Sequence, residues 1–237
     1  MKTLNSLSSI NIETVILCGG KSLRFNGEDK ALLKYNFNKT FIEKIIEECG
    51  RKVFISVSNK NKYLSLLNNY NNIDFIEDIY KDIGPLSGIY SSFKKLGSGY
   101  IQFLSCDTPS VNKNFLEYMK DFSDDYHDAF IPVYNDKPYY LCSIYSKKIL
   151  NIIKENIENK KYRIKDLIGR IKAKYINLKY TIFNLININT HEDYSSFQKT
   201  MPQYFAICGK RNSGKTTLIC NLIKEFVNMG KSVAVIK

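Results

Sequence analysis

The chain has 237 residues, of which 44% are hydrophobic, and a formal net charge of +12. This length allows the core of one large α/β domain with a short segment left over. No apolar run approaches the roughly 20 residues of a bilayer-spanning helix, and MKTLNSLSSIN lacks the apolar region of a signal peptide. We therefore expect a cytoplasmic protein without a membrane partner.

Cysteine spacing and charge distribution argue against a zinc-binding protein and against a nucleic-acid-binding protein. The six cysteines include no C-x-x-C pair, and only two histidines accompany them, so a zinc site is not expected. The positive charge comes mostly from lysines spread among acidic residues. Such a surplus favours recruitment of polyanionic small molecules, and we expect no nucleic-acid partner.

Strand-like apolar runs alternate with helical patterns along the chain, which predicts a mostly parallel sheet with helices on both faces. The predicted strands span residues 13–18, 53–58, 73–77, 100–106, 129–134 and 140–145. The first predicted helix starts in a capping box, Thr40 with Glu43, and stops at Gly50. The other predicted helices cover residues 62–68, 86–96, 114–121 and 147–158, and one more starts at Thr190 with Asp193 in its first turn.

The loop after the first strand, LCGGKSLRFNGEDK, has the composition of a triphosphate-binding loop. Glycines let backbone N–H groups approach phosphate oxygens, and two cations supply positive charge where phosphoryl transfer accumulates negative charge. The candidate residues are Leu17, Cys18, Gly19, Gly20, Arg24 and Lys30. The glycine pair alone is equally consistent with an ordinary tight turn. The longer string predicts nucleotide chemistry.

Polar residues follow the other strands, at the edge where open α/β sheets bind ligands. Asp107 ends the fourth strand in FLSCDTPS, where a carboxylate can hold Mg²⁺ or cap the next helix. Asn59 and Asp78 follow the second and third strands, and taken alone they are typical loop residues. In FNLININTHEDY, Asn187 and Asn189 alternate, which predicts that both side chains face one side of an extended strand.

The ordered set LCGG…R…DK, GPLSG, CDTP and NINT resembles the molybdenum cofactor guanylyltransferases over about residues 10–200. The resemblance implies a Rossmann-like nucleotidyltransferase fold and transfer of GMP from GTP to molybdenum-loaded molybdopterin, with release of pyrophosphate. It implies that Asn59 and Asp78 recognise the guanine nucleotide and that Asp107 binds Mg²⁺. Asn187 and Asn189 then lie by the nucleotide. The implied protein partners are the pathway adaptor and apo-molybdoenzymes.

Three positions depart from the family pattern. Cys18 replaces the common alanine, and His191 replaces the usual proline after NINT. The family's His-Pro-Leu element is missing, and Lys137-Pro138 or Tyr139-Tyr140 in KPYYLCSIY stands in its place. The acceptor-binding residues are therefore not fixed by the resemblance.

The last part of the chain holds a second phosphate-loop motif, G-x-x-x-x-G-K-[ST], between the apolar runs YFAIC and SVAVIK. Its motif residues are Gly209, Gly214, Lys215 and Thr216. The pattern predicts a partial strand–helix–strand tail that resembles the start of the GTP-binding adaptor protein of the same pathway. Because a Walker B aspartate and further strands do not follow, we interpret residues 203–237 as the truncated start of a fusion partner and residues 1–200 as the guanylyltransferase domain.

Two alternatives remain beside guanylyl transfer. A cytidylyl- or sugar-nucleotidyltransferase would keep the reaction type, but Asn59 and Asp78 favour guanine, whose N1–H and exocyclic amine both donate to a carboxylate. In the second alternative, the protein is a GTP-binding adaptor in which the tail is the functional part.

Overall fold

A computed structural model gives the structure of residues 12–18, 25, 27–179, 185–201, 205–230 and 232–236. The chain divides into two compact units, Met1–Lys199 and Thr200–Lys237. The described residues of the larger unit form one sheet and the helices that cover it.

The strands of the larger unit, within the part of the chain that the structure describes, are β1 (Ile12–Leu17), β2 (Val53–Val57), β3 (Ile73–Glu77), β4 (Tyr100–Ser105), β5 (Ala129–Tyr134), β6 (Lys137–Pro138), β7 (Ile144–Ser146) and β8 (Ala173–Asn177). They form one sheet in the order β3-β2-β1-β4-β7-β5-β6, with β8 paired to β5. The neighbours β3, β2, β1 and β4 run parallel, whereas β7 is antiparallel to both β4 and β5. The predicted mostly parallel sheet is confirmed.

Helices cover both faces of this sheet, because side chains alternate along each strand. The helices of the larger unit are α1 (Phe41–Cys49), α2 (Pro85–Lys95), α3 (Lys113–Lys120), α4 (Leu150–Glu158), α5 (Ile164–Ile168) and α6 (His191–Thr200). One apolar cluster joins alternate strand residues to α1 and α3, and the other joins the remaining strand residues to α2, α4 and α5. None of the described helices is both long and apolar enough to cross a membrane.

The predicted capping boxes set the starts of two helices. At α1, the Thr40 N–H donates to the Glu43 carboxylate at 2.8 Å, and Gly50 ends the helix with φ of 60°. At α6, the Thr190 N–H donates to Asp193 Oδ2 at 2.9 Å, while the Asp193 N–H donates back to the Thr190 hydroxyl at 3.1 Å. Each box satisfies backbone donors that a helix start leaves without partners.

Two predicted elements differ from the observed ones, and other observed elements were not predicted. The strand predicted at 140–145 is the shorter β7, because residues 139–143 turn: the Cys142 N–H donates to the Tyr139 carbonyl at 3.0 Å. The helix predicted at 62–68 is the 3₁₀ helix Lys60–Asn68. Strand β8 and helix α5 were not predicted, since β8 is a half-exposed edge strand without clear alternation.

In the smaller unit, the predicted helix is α7 (Lys215–Asn228), but the described residues 205–210 and 232–236 form no strand. The prediction of strands at YFAIC and SVAVIK is therefore wrong for these residues. A strand needs a neighbouring strand to accept and donate its backbone hydrogen bonds, and the regular structure of the described residues 205–230 and 232–236 is limited to the helix α7. No described side chain of α7 is buried, although Phe205 and Phe226 stack at 5.5 Å between ring centroids.

Candidate functional site

The root of the predicted phosphate loop lies at the carboxyl edge of the sheet. Leu17 ends β1, and the Cys18 N–H continues the β1–β2 ladder by donating to the Ser56 carbonyl at 2.8 Å. Gly19, Gly20 and Arg24 lie outside the described residues, so their predicted phosphate contacts remain predictions.

Asp107 is positioned beside that root by the pairing of β1 with β4. The Cys106 N–H donates to the Leu17 carbonyl at 3.3 Å, so the next residue, Asp107, leaves the sheet next to the phosphate loop. Asp107 is half-buried, and its Oδ1 lies 3.2 Å from the hydroxyl of Thr108. The same hydroxyl contacts Oδ1 of Asn187, so Thr108 joins the strand end to the NINT segment.

The NINT segment docks on the Asp107 turn. The Ile188 N–H donates to the Asp107 carbonyl at 2.8 Å, and the Ile186 N–H donates to the Ser110 hydroxyl at 2.8 Å. These bonds go to a turn and not to a strand, so the predicted extended strand is absent from residues 185–190. Asn187 and Asn189 are both brought to the site, but they contact different partners.

Lys30 lies on the other side of the NINT segment. Its ammonium donates to the Ile188 carbonyl at 3.0 Å and to Asn189 Oδ1 at 3.2 Å, and it lies 5.2 Å from the Phe25 ring centroid. His191 packs on Phe25 at 4.4 Å between ring centroids. An ammonium has three N–H donors, so two bonds to the segment leave one donor for a phosphate oxygen.

The predicted base-recognition residues follow β2 and β3. Asp78 is buried, and burial raises the pKa of its carboxyl above the usual range, while the Ser56 hydroxyl and the positive charge of Lys81 oppose this shift. Asn59 is exposed and caps the 3₁₀ helix, because its side-chain oxygen accepts the Asn61 N–H at 3.0 Å. This bond leaves the amide NH₂ of Asn59 for a nucleotide oxygen.

Two thiols at this edge, those of Cys18 and Cys142, have a raised pKa. Burial raises the pKa of Cys18 well above its usual range, and the neighbouring Cys106 raises it further. Burial also raises the pKa of Cys142 to about 12. Neither thiolate is available as a nucleophile, and neither adds negative charge near the phosphates.

A cavity of about 150 Å³ lies next to the Asp107 turn, on the side away from Asp78. Its lining combines Thr108 and Asn187 with an aromatic and apolar wall: Ser105, Pro138, Tyr139, Tyr140, Leu141, Cys142 and Ile164. The Tyr139 hydroxyl donates to the Leu185 carbonyl at 2.7 Å, which ties this wall to the NINT segment. The cavity was not predicted from the sequence, although its wall is the KPYYLC stretch that stands where the family has His-Pro-Leu.

The donor set around Asp107 suits a hard cation that keeps other ligands. Within the described ranges, no cluster of three or more His, Cys, Asp or Glu residues could enclose a metal ion. The carboxylate of Asp107 and the nearby amide oxygen of Asn187 are oxygen donors of the type that Mg²⁺ binds, together with waters and phosphate oxygens.

In the smaller unit, the motif residues span the loop before α7 and the first turn of that helix. The Lys215 ammonium donates to the Gly209 carbonyl at 2.8 Å and also to the Lys210 carbonyl, while Gly214 has φ of 79° and precedes Lys215 and Thr216. The Lys215 ammonium therefore points into the loop that precedes it. A bound phosphate would compete with the Gly209 and Lys210 carbonyls for its N–H donors.

Comparison with known proteins identifies the family. A model of the MobA-like NTP transferase domain matches residues 14–174. A protein of Clostridium perfringens named probable molybdenum cofactor guanylyltransferase is 30% identical over 200 residues, which cover 80% of this chain and 98% of that protein.

Solved structures share the fold at lower identity. Molybdopterin-guanine dinucleotide biosynthesis protein A from Archaeoglobus fulgidus has a TM-score of 0.68 at 22% identity and covers 79% of this chain and 97% of its own. A 4-diphosphocytidyl-2C-methyl-D-erythritol synthase from Anaerococcus prevotii has a TM-score of 0.59 at 13% identity and covers 79% and 94%. The domain match and the Clostridium relative decide the assignment: the chain belongs to the MobA-like NTP transferase family and is a nucleotidyltransferase.

Proposed function

We propose that this nucleotidyltransferase transfers GMP from GTP to molybdenum-loaded molybdopterin, forming the guanine dinucleotide cofactor and pyrophosphate. The observation that carries the proposal is the buried carboxylate of Asp78 at the end of β3. Guanine presents two adjacent donors, N1–H and the exocyclic amine, to such a group, whereas adenine and cytosine present an acceptor beside a donor. The names of the relatives support the same substrate pair.

The order of the strands supports a path for the substrates across the sheet edge. Asp78 follows β3, Leu17 and Asp107 follow the neighbours β1 and β4, and the aromatic cavity lies beyond β4. In this arrangement the base sits at Asp78, the triphosphate crosses the sheet centre, and the acceptor occupies the cavity beside Asp107. The acceptor phosphate then faces the α-phosphorus from the side opposite the leaving pyrophosphate, as in-line transfer requires.

The side chains contribute positioning and charge, and no protein nucleophile is needed. Lys30 directs its remaining N–H toward the phosphates while it holds Ile188 and Asn189. Asp107, with Asn187 beside it, would hold Mg²⁺. Bound there, Mg²⁺ supplies positive charge that offsets the charge of the phosphate oxygens. The Tyr139–Tyr140 wall offers a flat surface for a bicyclic pterin.

Pyrophosphate release tests the proposal. The purified chain is given GTP, ATP or CTP with a divalent metal, each with and without molybdenum-loaded molybdopterin. We expect release that needs both GTP and the pterin. Release without the pterin would be hydrolysis of the nucleotide by water and would contradict the proposed acceptor. Equal pterin-dependent rates with CTP would support the cytidylyltransferase alternative.

Asp78→Asn is expected to reduce the preference for GTP over ATP and CTP. An amide presents one acceptor and one donor group, so it cannot accept both guanine donors. A site built around two such bonds loses about tenfold or more in discrimination when one is lost. The measurement is kcat/KM for the three nucleotides, and an unchanged ratio would remove Asp78 from base recognition.

For the tail we propose that residues 203–237 are an adaptor-like segment that is dispensable for guanylyl transfer, and that residues 1–200 carry the activity. Asp107, Lys30 and the NINT segment all precede Met201. The Lys215 ammonium is bonded within its own loop, and α7 buries no described side chain.

Deleting residues 203–237, or changing Lys215→Ala, is therefore expected to leave steady-state transfer within about threefold of the full chain, a barrier change of less than 1 kcal/mol. Lys210→Ala, in the same loop, is the matched control for Lys215. A loss beyond about tenfold in a folded truncated protein would assign the tail a part in catalysis.

A further inference from the structure

The Asp78 carboxylate is held by the neighbouring strand β2. The hydroxyl of Ser56 donates to Asp78 Oδ1 at 2.8 Å, and both residues are buried. The Asp78 N–H donates to the Val57 carbonyl at 2.9 Å, which extends the β2–β3 ladder to this residue. Oδ1 thus has a fixed partner inside the protein. Since each carboxylate oxygen has two lone pairs, Oδ1 and Oδ2 can each still accept one N–H donor from a ligand.

Two serines of α2 hold the residues after Asp78. The Ile79 N–H donates to the Ser91 hydroxyl at 2.8 Å. The Ser87 hydroxyl accepts the Tyr80 N–H at 3.1 Å and donates to the Tyr80 carbonyl at 2.7 Å. The backbone on the C-terminal side of Asp78 is therefore anchored to α2, which fixes the position from which the Asp78 side chain extends.

Gly88 makes the space for this arrangement. A Cβ at this position would lie 2.6 Å from the Ser56 hydroxyl, 2.9 Å from Leu17 Cδ2 and 3.5 Å from Asp78 Oδ1. The first distance is too short for a real contact, so any larger residue would displace the hydroxyl from the carboxylate. The second glycine of GPLSG is needed for the Ser56–Asp78 hydrogen bond.

The charge state of Asp78 depends on the same hydroxyl. Burial raises the pKa of the carboxyl, and the Ser56 hydrogen bond lowers it. Lys81, which lies on the same loop as Asp78, also lowers the pKa of the carboxyl through its positive charge. The Asp78 charge in turn raises the pKa of Cys18, which follows β1. From α2, Gly88 and the hydroxyls of Ser87 and Ser91 lie next to Asp78 and its loop, and the Tyr90 ring packs on Tyr80 at 5.5 Å between ring centroids.

We propose that Ser56 is a positioning residue for base selection: its hydroxyl keeps the Asp78 carboxylate ionised and oriented to accept the two N–H donors of guanine. The inference rests on the proposed function, because it requires that the protein binds GTP. Without the hydroxyl, the carboxyl gains a proton at higher pH than in the wild type. A protonated carboxyl has one acceptor oxygen fewer for guanine.

Inosine triphosphate is the probe, because hypoxanthine keeps the N1–H and lacks the exocyclic amine. Dissociation constants for GTP and ITP are measured by equilibrium titration from about pH 5 to about pH 9. We expect the wild type to prefer GTP by about tenfold. Ser56→Ala is expected to reduce the preference to less than about threefold at neutral pH and to move the loss of GTP affinity on acidification to higher pH.

Ser92→Ala is the matched control. Ser92 is also buried, and its hydroxyl donates to the Gly88 carbonyl at 2.6 Å without contacting Asp78. This variant is expected to keep the wild-type GTP/ITP ratio and pH profile. Gly88→Ala provides an independent route to the same defect if Ser56→Ala folds poorly in a thermal denaturation measurement.

A double-mutant cycle separates positioning from general destabilisation. In the Asp78→Asn background, adding Ser56→Ala should not change the GTP/ITP ratio further, because the ionisable group is gone. Suppose that folded Ser56→Ala or Gly88→Ala keeps the wild-type GTP/ITP ratio and pH profile while Asp78→Asn still loses its preference for GTP. This result would overturn the role of Ser56 and leave the role of Asp78 intact. A wild type that binds GTP no better than ATP would instead contradict the proposed function itself.

Discussion

Asp107→Asn is expected to lower guanylyl transfer by at least about a hundredfold while the fold is retained, since metal-assisted charge stabilisation is worth several kcal/mol. The amide has the size of the carboxylate and can still approach Thr108, so the turn after β4 should persist. It lacks the negative charge that attracts a divalent cation. Steady-state transfer at saturating GTP and a range of Mg²⁺ concentrations measures the effect.

Asp121→Asn serves as the control for this change. Asp121 is exposed at the C-terminal end of α3. The substitution makes the same chemical change as Asp107→Asn, since it replaces a carboxylate by an amide. The control should retain wild-type transfer, and both variants should unfold near the wild-type temperature. Transfer by Asp107→Asn within about threefold of the wild type would remove Asp107 from the mechanism.

Lys30→Ala is expected to reduce kcat/KM for GTP by about ten- to a hundredfold, the range for losing hydrogen bonds from a charged group. Two effects combine in this variant. The phosphates lose a cation, and the carbonyl of Ile188 and the oxygen of Asn189 lose their donor. Because the NINT segment also docks on the Asp107 turn, its position beside the phosphates should become less fixed.

Lys30→Arg separates the two effects, because it keeps the charge but cannot reproduce the compact geometry of the ammonium. Lys34→Ala is the control for net charge, since Lys34 is exposed and lies four residues after Lys30 in the sequence. We expect Lys30→Arg to recover part of the GTP affinity and Lys34→Ala to resemble the wild type. Normal GTP affinity and turnover in Lys30→Ala would contradict its place at the triphosphate.

The parts of the site that follow strands could be predicted from the sequence. Asp78 and Asp107 each come directly after an apolar run, and parallel strands bring such ends to one edge. The contacts of Lys30 could not be predicted, because it meets Asn189 across 159 positions of sequence, through side-chain bonds that leave no periodic pattern. The role of Ser56 could not be predicted either, since this residue lies inside the buried strand VFISV and belongs to no motif.

Two kinds of wrong strand prediction each have a physical cause. Strand β8 lies at a half-exposed edge, where burial does not impose alternation on the sequence. The runs YFAIC and SVAVIK have the composition of strands, but the described residues of their unit form no strand with which they could pair. Apolar composition indicates what a segment could bury, and the neighbouring elements decide whether it does.

The most direct measurement is the fate of the α-phosphorus. The wild-type chain is incubated with a divalent metal, molybdenum-loaded molybdopterin and GTP labelled at the α-phosphorus, and the products are separated and identified by mass. Guanylyl transfer predicts the label in a pterin–guanine dinucleotide, with one unlabelled pyrophosphate for each product formed. Label recovered only as GTP or as free GMP, while CTP or a sugar phosphate supports transfer, would contradict the proposed function.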